Sequence, residues 1–414
     1  MVPVRTRESS AGTARSAPVD APRDARSIAT LAWPHIDGRR SVADLAALLE
    51  QRGAGTFRQL AHSLSEQLGW LVEAGEIELV RAESDNPWKS ARATLVTKAR
   101  APQREPQDSA APYRSGFAGW YERASVRSKP RRMLEGGEPV YFSPELVPIA
   151  AHPLVLERGE QAVRQILVHR LFTYLHFTTE LEQVAVLPVA SAIARGRAGI
   201  DLPEQMRSDA YKIVTDEAWH AQFSYDLVRQ VEAETGIHLP ELPLPAFIGR
   251  LDTIASTLPD RMRGLTALLF CIVSETLISA ILSDLPRDSR LPSAVREVVR
   301  DHAVDEGRHH TYFKDMLSRL WPELSVAEQR IVGPAVPQII DAFLRPDLAA
   351  LVPGLTRIGL TAEECRGVIA ESTPEHLIRR DIAAAARPAT RYFTEVGALD
   401  HSRTREAFES AGLL

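Results

Sequence analysis

The hydrophobic and polar positions from Tyr113 to the C-terminus repeat with the period of α-helices. Long stretches rich in Ala, Leu, Arg and Glu carry apolar residues at every third or fourth position. Clusters of Pro and Gly interrupt this pattern at residues 196–203, 240–245, 286–292 and 346–353. The pattern predicts a large, mainly α-helical domain over residues 113–414.

One of these segments, residues 265–282, is almost wholly apolar and carries Glu275 near its middle. Its length reaches the lower limit for a membrane-spanning helix. A lone carboxylate at that depth would, however, be expensive in lipid. We therefore expect a helix that is buried on all sides inside the helical domain, and no contact with a membrane.

The first 112 residues follow a different pattern. Residues 1–26 nearly lack large apolar side chains, which predicts a disordered tail. Residues 27–81 predict a small winged-helix-like domain, and residues 82–112, with four prolines among charged and small residues, predict a linker. Within the small domain the expected elements are helices over 28–36, 42–50 and 56–74 and a strand over 77–80.

The composition narrows the classes of protein that fit. The 414 residues suit two or three domains, and 44% hydrophobic and 25% charged residues are globular averages. A net charge of -5 and a pI near 6.2 argue against a partner that is nucleic acid or an anionic membrane. Only two cysteines are present, and no apolar segment of a signal peptide follows the first arginines. We expect a cytoplasmic protein.

The motif Asp-Glu-x-x-His occurs twice, at residues 216–220 and 305–309. A Glu and a His three positions apart lie on one face of a helix, within reach of one metal ion. One such pair arises easily by chance, whereas two copies, both preceded by Asp and both inside apolar stripes, are less ordinary. In the second copy, His302 lies one turn before Glu306 and on the same face. The alternative interpretation is a buried network of ion pairs.

A binuclear metal site in a helical bundle needs one further carboxylate from each of two more helices. Glu275 supplies one of them. The other is Glu182 or Glu180, because the periodicity of the preceding helix does not choose between these two positions. Such a mixed oxygen and nitrogen ligand set suits two iron ions, with manganese as the alternative, and the absence of Cys argues against structural zinc. The candidate ligands are Glu182 or Glu180, Glu217, His220, Glu275, His302, Glu306 and His309.

The order Glu, Glu-x-x-His, Glu, His-x-x-x-Glu-x-x-His resembles the ferritin-like di-iron N-oxygenases of the p-aminobenzoate N-oxygenase family. The stretch from Trp120 to His152, which contains YFSPELVP, is also similar to that family, and the resemblance covers about residues 113–400. It implies a ferritin-like helical bundle and selects Glu182 over Glu180. It further implies that Glu182 and His220 bind one iron, that Glu275, His302 and His309 bind the other, and that Glu217 and Glu306 bridge the two.

Four residues are candidates for supporting roles. Asp216 and Asp305 would orient ligating imidazoles, the alternative being charges on a solvated helix face. Tyr174 would line the substrate pocket, the alternative being a core tyrosine. Arg380, on a helix near the C-terminus, would meet an anionic group of the substrate, the alternative being a surface arginine.

The resemblance implies an O2-dependent oxygenase that oxidises a small-molecule amine to the hydroxylamine or nitro level in natural-product biosynthesis. No Gly-x-Gly-x-x-Gly motif for a nucleotide or flavin is present, so electrons would come from an external donor. The alternatives are a di-iron C–H hydroxylase or desaturase and a non-catalytic peptide-binding scaffold. Bound iron would separate the enzymes from the scaffold, and the products would separate the two enzymes.

The N-terminal sequence HIDGRRSVADLAALLEQRG resembles PqqD-like domains, which bind leader peptides by strand addition. The amine could thus be a free small molecule or be presented on a peptide or carrier protein, and the sequence leaves both alternatives open. DNA binding is disfavoured because the candidate recognition helix is not basic. A packing or dimerisation role is the alternative, and a homodimer is compatible with either.

Overall fold

The chain divides into two compact units, Met1–Arg92 and Ala93–Leu414. This computed structural model describes residues 2–5, 42–51, 77–80, 112–136, 140–259, 262–282 and 284–414, with single positions at 32, 56, 59, 60, 64 and 68. The division falls within the segment that the sequence predicts as a linker, whose residues 82–111 lie outside the described part.

The smaller unit contains a two-stranded antiparallel sheet. Strand β1 (Val2–Arg5) pairs with strand β2 (Ile77–Val80), and Val2 lies opposite Val80. The strand predicted at residues 77–80 is therefore confirmed. The prediction of a disordered tail is wrong for β1, because its backbone groups find partners on β2. The remainder of that tail lies outside the described residues.

Helix α1 (Val42–Gln51) confirms the second predicted helix of the smaller unit. Its inner face buries Leu45 and Leu49 at the helical spacing of four residues. The helices predicted over 28–36 and 56–74 fall, apart from the single positions named above, on residues that are not described.

The larger unit is built almost entirely of helices among its described residues, as the sequence predicts. The helix boundaries coincide with the Pro and Gly clusters, because proline cannot continue a helix and left-handed glycines such as Gly236 end one. The helices are α2 (Trp120–Arg123), α3 (Ser125–Ser128), α4 (Pro153–Leu156), α5 (Glu160–Glu180), α6 (Leu187–Ala194), α7 (Glu204–Thr235), α8 (Ala246–Thr257), α9 (Arg263–Ile281), α10 (Ser293–Glu323), α11 (Val326–Val332), α12 (Val336–Leu344), α13 (Val352–Arg357), α14 (Ala362–Ser372), α15 (Glu375–Ala385), α16 (Arg387–Glu395) and α17 (Ser402–Ser410).

Four long helices, α5, α7, α9 and α10, form the centre of this unit. Helix α9 packs along α10, and α7 packs against α5, α6 and α10. Each contributes an apolar face to one continuous core, which gives a ferritin-like helical bundle. The bundle therefore brings inward-facing residues of four helices to one place.

Helix α9 is buried around its circumference, as its apolar sequence predicts. The run from Leu268 to Val273 is at most 1% exposed at every side chain. No helix in the described part of the chain is long and apolar enough to cross a membrane. The apolar run thus belongs to the bundle core.

A π-helical segment, Leu181–Val186, joins α5 to α6 without a break in the helical path. A π-helical turn holds one more residue than an α-helical turn and is frequent at functional sites. Glu182 lies in this segment and is fully buried. The extra residue shifts which side chains face the bundle interior.

Candidate metal centre

Seven carboxylate and imidazole side chains converge inside the bundle. Six of them are 0% exposed and His302 is 2% exposed, so none is in contact with bulk water. The π-helical segment, α7, α9 and α10 all contribute to this set. Its members are Glu182, Glu217, His220, Glu275, His302, Glu306 and His309.

The side chains form two groups whose ligand atoms lie within 4.8 Å of one another, the spacing that can hold a metal ion. Glu306 belongs to both groups. The first group is Glu182, His220, His302 and Glu306, and the second is Glu217, Glu275, Glu306 and His309. The geometry therefore suits two adjacent ions that share a carboxylate.

Glu217 also lies between the two groups. Its Oε2 atom is 3.0 Å from Nδ1 of His220, and its Oε1 atom is 2.9 Å from Nδ1 of His309. Glu306 Oε1 lies 3.5 Å and 3.3 Å from the same two nitrogens. Both carboxylates thus occupy the central position that a bridging ligand needs.

His302 belongs to the Glu182 side of the centre. Its Nε2 atom is 3.3 Å from Oε1 of Glu182, and its ring centroid is 4.2 Å from that of His220. The expectation that His302 shares an ion with Glu275 and His309 is therefore wrong. The reason is that α7 and α10 are antiparallel here, which places the N-terminal part of the second motif beside the C-terminal part of the first.

Each of the two motif histidines is held by the aspartate of the other motif. Nε2 of His220 is 3.2 Å from Oδ2 of Asp305, and Nε2 of His309 is 3.3 Å from Oδ2 of Asp216. Both aspartates are 0% exposed, so their interpretation as solvated charges is wrong. The contacts leave Nδ1 of each ring facing the carboxylates, as a metal ligand held by an outer carboxylate requires.

Two short helices at the start of the larger unit hold these aspartates in turn. The indole Nε1–H of Trp120 donates to both oxygens of Asp216 at 2.9 Å. The backbone N–H of Ser125 donates to Asp305 at 3.2 Å, and Arg308 forms an ion pair with the same carboxylate. Buried carboxylates with several donors stay ionised, and the pKa of Asp305, despite its burial, is lowered to about 2 chiefly by His220.

The carboxylates divide into two electrostatic classes in the protein alone. Burial raises the pKa of Glu182 and Glu275 well above the usual value, and the neighbouring carboxylates raise it further. Burial acts in the same direction on Glu217 and Glu306, but the charge of His309 outweighs it. The pKa of Glu217 is well below its usual range, and that of Glu306 is lowered to about 2.

The two motif histidines are shifted in the opposite sense. Burial alone would lower their pKa, but the adjacent carboxylates raise the pKa of His220 to about 10 and that of His309 well above its usual value. Four carboxylates in one buried place therefore demand compensating positive charge. Cations bound at the centre would supply it without protons.

The unsatisfied polar atoms support the same conclusion. Both carboxylate oxygens of Glu182 and of Glu275 lack a hydrogen-bond partner among the described residues, as does Oε2 of Glu306. Buried polar atoms without partners are rare and costly. Carboxylate oxygens and imidazole nitrogens are ligands that iron and manganese accept, so the residues present fit a pair of such ions.

Tyr174 lies on α5, eight residues before Glu182, and lines a cavity of about 370 Å³. The structure thus places it in the wall of this pocket, about two helical turns before Glu182. Arg380 does not approach the centre, because its guanidinium is exposed and forms an ion pair with Asp381 at 2.9 Å. The expectation that Arg380 meets the substrate is therefore wrong.

The sequence interpretation missed residues that contact the metal centre only through another side chain, and one that lines the cavity. Trp120 and Ser125 are far from both motifs in the chain, and only their place in the stretch from Trp120 to His152, which resembles the family, indicated a role. Arg170, which also lines the cavity, lies on the helix that leads to Glu182. Nothing in the periodicity of that helix distinguished it from a surface arginine.

Comparison with known proteins places this geometry in a family. The family model described as p-aminobenzoate N-oxygenase AurF matches residues 128–397. A 4-aminobenzoate N-oxygenase from Streptomyces thioluteus is 24% identical over 278 residues, which cover 65% of this chain and 82% of that protein. The matched segment includes all seven buried side chains of the centre.

Proposed function

Since the chain belongs to the p-aminobenzoate N-oxygenase family, we propose that its seven buried side chains hold two iron ions for the oxidation of a substrate amine. The chain is an amine-oxidising di-iron N-oxygenase, a monooxygenase of natural-product biosynthesis. The ligand set, with Glu217 and Glu306 shared between the ions, is our proposal.

One observation carries the assignment of the ligands. Two groups of four buried side chains share Glu306, and both carboxylate oxygens of Glu182 and of Glu275 make no hydrogen bond within the described structure. A structural ion-pair network would also hydrogen-bond these oxygens, because a buried carboxylate without such bonds costs several kcal/mol. Iron is favoured over manganese because the family is one of di-iron enzymes.

When bound, a reduced di-iron centre supplies the activation of O2 and the oxygen atom that the substrate nitrogen receives. The protein residues do the remaining work. Asp216 and Asp305 fix the rings of His309 and His220, so that one nitrogen of each faces inward. The complete burial of the carboxylates excludes bulk water from the reaction.

The substrate and the reductant follow from the same assignment. The relative from Streptomyces thioluteus is named for its action on 4-aminobenzoate, and we propose an amine substrate for this chain as well. An external donor would supply the electrons, because the sequence contains no nucleotide- or flavin-binding motif.

The smaller unit supports a proposal of its own. It is compact, and its sequence resembles PqqD-like peptide-recognition domains. We propose that it binds a peptide or carrier protein that presents the amine. Binding of peptides encoded beside the gene, measured with the full chain and with a variant lacking residues 1–92, would test this role.

The oxygenase proposal is tested with iron-loaded full-length protein, a chemical reductant, 4-aminobenzoate and isotopically labelled O2. We expect about two irons per chain and a product that carries labelled oxygen on nitrogen. The Glu182→Gln variant should lose iron and product, whereas Glu180→Gln, a half-buried neighbour outside the site, should retain both. Labelled oxygen on carbon, or iron binding that survives the loss of Glu182, would overturn the proposal.

A further inference from the structure

A cavity of about 370 Å³ lies between α5, α8 and the end of α12. This volume is in the range of pockets that enclose small organic molecules. Most of its lining is apolar, including Phe177, Phe247 and Phe343, whose rings contact one another. Tyr174 and Phe177 also line the cavity, and they lie about one to two helical turns before Glu182 along the same helical path.

The residues that line this cavity carry more positive than negative charge. Three arginines face one carboxylate, Asp347, which accepts a hydrogen bond from the backbone N–H of Ala246. Arg345 forms ion pairs with Asp341 and Glu375 outside the lining set. Arg250 donates to the backbone carbonyls of Ala342 and Arg345.

Arg170 is the arginine of the cavity that lacks such a partner. Its guanidinium donates to Thr173 Oγ1 at 3.3 Å and lies 5.0 Å from the ring centroid of Phe142, with no carboxylate paired to it among the described residues. Burial lowers its pKa. A guanidinium carries five donors in a fixed fork that matches a carboxylate or a phosphate. Most of these donors remain available to a ligand.

Tyr174 lies between Arg170 and Glu182 along the helical path. It is 6% exposed, it lines the cavity, and its hydroxyl has no hydrogen-bond partner in the described part of the chain. A buried hydroxyl without a partner is costly. A polar group on a molecule within the cavity would satisfy it.

The separation between Arg170 and Glu182 sets the length of that molecule. Twelve residues at 1.5 Å per residue place them about 18 Å apart along the helix axis. Both side chains lean towards the helix N-terminus, so their direction does not close this distance. The span is much longer than the distance from nitrogen to carboxylate across one benzene ring.

We infer that Arg170 binds an anionic group, a carboxylate or a phosphate, at the far end of an elongated substrate whose amine reaches the metal centre. The apolar lining fits an apolar body between the two ends. This inference rests on the proposed function and goes beyond it, because it fixes the length and the charge of the substrate.

The test uses a series of 4-aminobenzoyl amides with tethers of increasing length that end in a carboxylate, a phosphate or the neutral methyl ester. Dissociation constants are measured by calorimetry with the iron-loaded full-length protein under anaerobic conditions. A charge-assisted hydrogen bond contributes about 1.5–3 kcal/mol, so the long anions should bind at least about tenfold more tightly than their esters. Carboxylate and phosphate arms of equal length identify which anion is preferred.

Arg170→Gln should remove this preference, and Arg170→Lys should restore part of it. Arg164→Gln is the matched control, because Arg164 lies on the same helix over the ring of Tyr141 and does not line the cavity. A preference that persists in Arg170→Gln would overturn the inference, as would long anions that bind no better than their esters. Equal dependence of 4-aminobenzoate itself on Arg170 would overturn the length argument.

The same samples separate this inference from the proposed function. In air with reductant, the wild type should convert the bound amines to N-oxygenated products. If binding depends on Arg170 but no such product forms, the proposed function is wrong and the anion site is retained. If the products form and binding does not depend on Arg170, the anion site is wrong and the proposed function is retained.

Discussion

Glu275 offers a quantitative test of the centre, because it is a fully buried carboxylate in the middle of an apolar helix. Burial raises its pKa well above the usual value, with Glu306 and Glu217 adding to the effect. In the iron-free protein the folded state therefore binds a proton that the unfolded state releases above pH 4.5 or so. More protons bound in the folded state means that stability falls as pH rises.

The slope follows from the linkage relation. Each such carboxyl removes about 1.4 kcal/mol of stability for every pH unit between its unfolded and folded pKa values. Between pH 5.5 and 7.5, Glu275 alone accounts for up to about 2.7 kcal/mol, or roughly 5 °C in the melting temperature of a domain of this size. Iron replaces the proton, so the iron-loaded protein should lose less stability over this range.

The assay is thermal unfolding of the wild type and Glu275→Gln, each with and without iron, at several pH values between 5.5 and 7.5. Glutamine cannot ionise, so the iron-free variant should lose stability with pH less steeply than the iron-free wild type. Glu180→Gln is the control and should keep the wild-type slope. Two outcomes would refute the assignment of Glu275 as a buried ligand. In one, the melting temperature of the iron-free wild type does not fall as the pH rises. In the other, it falls equally steeply in the iron-free wild type and in iron-free Glu275→Gln.

Three further predictions concern the other parts of the centre. His302→Ala should lose the ion on the Glu182 side, so that iron analysis gives about one iron per chain with unchanged helical circular dichroism. His310→Ala, outside the site, should keep two. Asp216→Asn and Asp305→Asn should each weaken iron binding about 10- to 100-fold in competition with a chelator, and equal affinity would contradict their orienting role. Trp120→Phe should cost about 1.5–3 kcal/mol in denaturant unfolding, since it removes the donor to the buried Asp216 carboxylate, and an unchanged midpoint would contradict this.

The sequence predicted the helices and the ligand types well, because helical periodicity and the Asp-Glu-x-x-His spacing act within a single helix. It could not choose between Glu180 and Glu182 from periodicity, and the π-helical segment Leu181–Val186 explains why. An extra residue in one turn breaks the period of 3.6 on which such reasoning rests. The choice came from the family resemblance instead.

The sequence also could not predict which ligands bind which of the two ions, for a different reason. It depends on the antiparallel direction of α7 and α10, which places His302 beside His220. Contacts between distant segments carry no local signal in one sequence. The same holds for the indole of Trp120 on Asp216 and for Arg170, the cavity arginine without a paired carboxylate among the described residues.

The crossed pairs of Asp216 with His309 and of Asp305 with His220 have a consequence for how the protein matures. Neither helix can complete its own half of the centre, since each lends its aspartate to the other. A fragment that ended between α7 and α10 would contain His220 without Asp305 to orient its ring. It would also contain Asp216 without its partner His309. We therefore expect tight metal binding to require that α7 and α10, which are far apart in the chain, have already packed together.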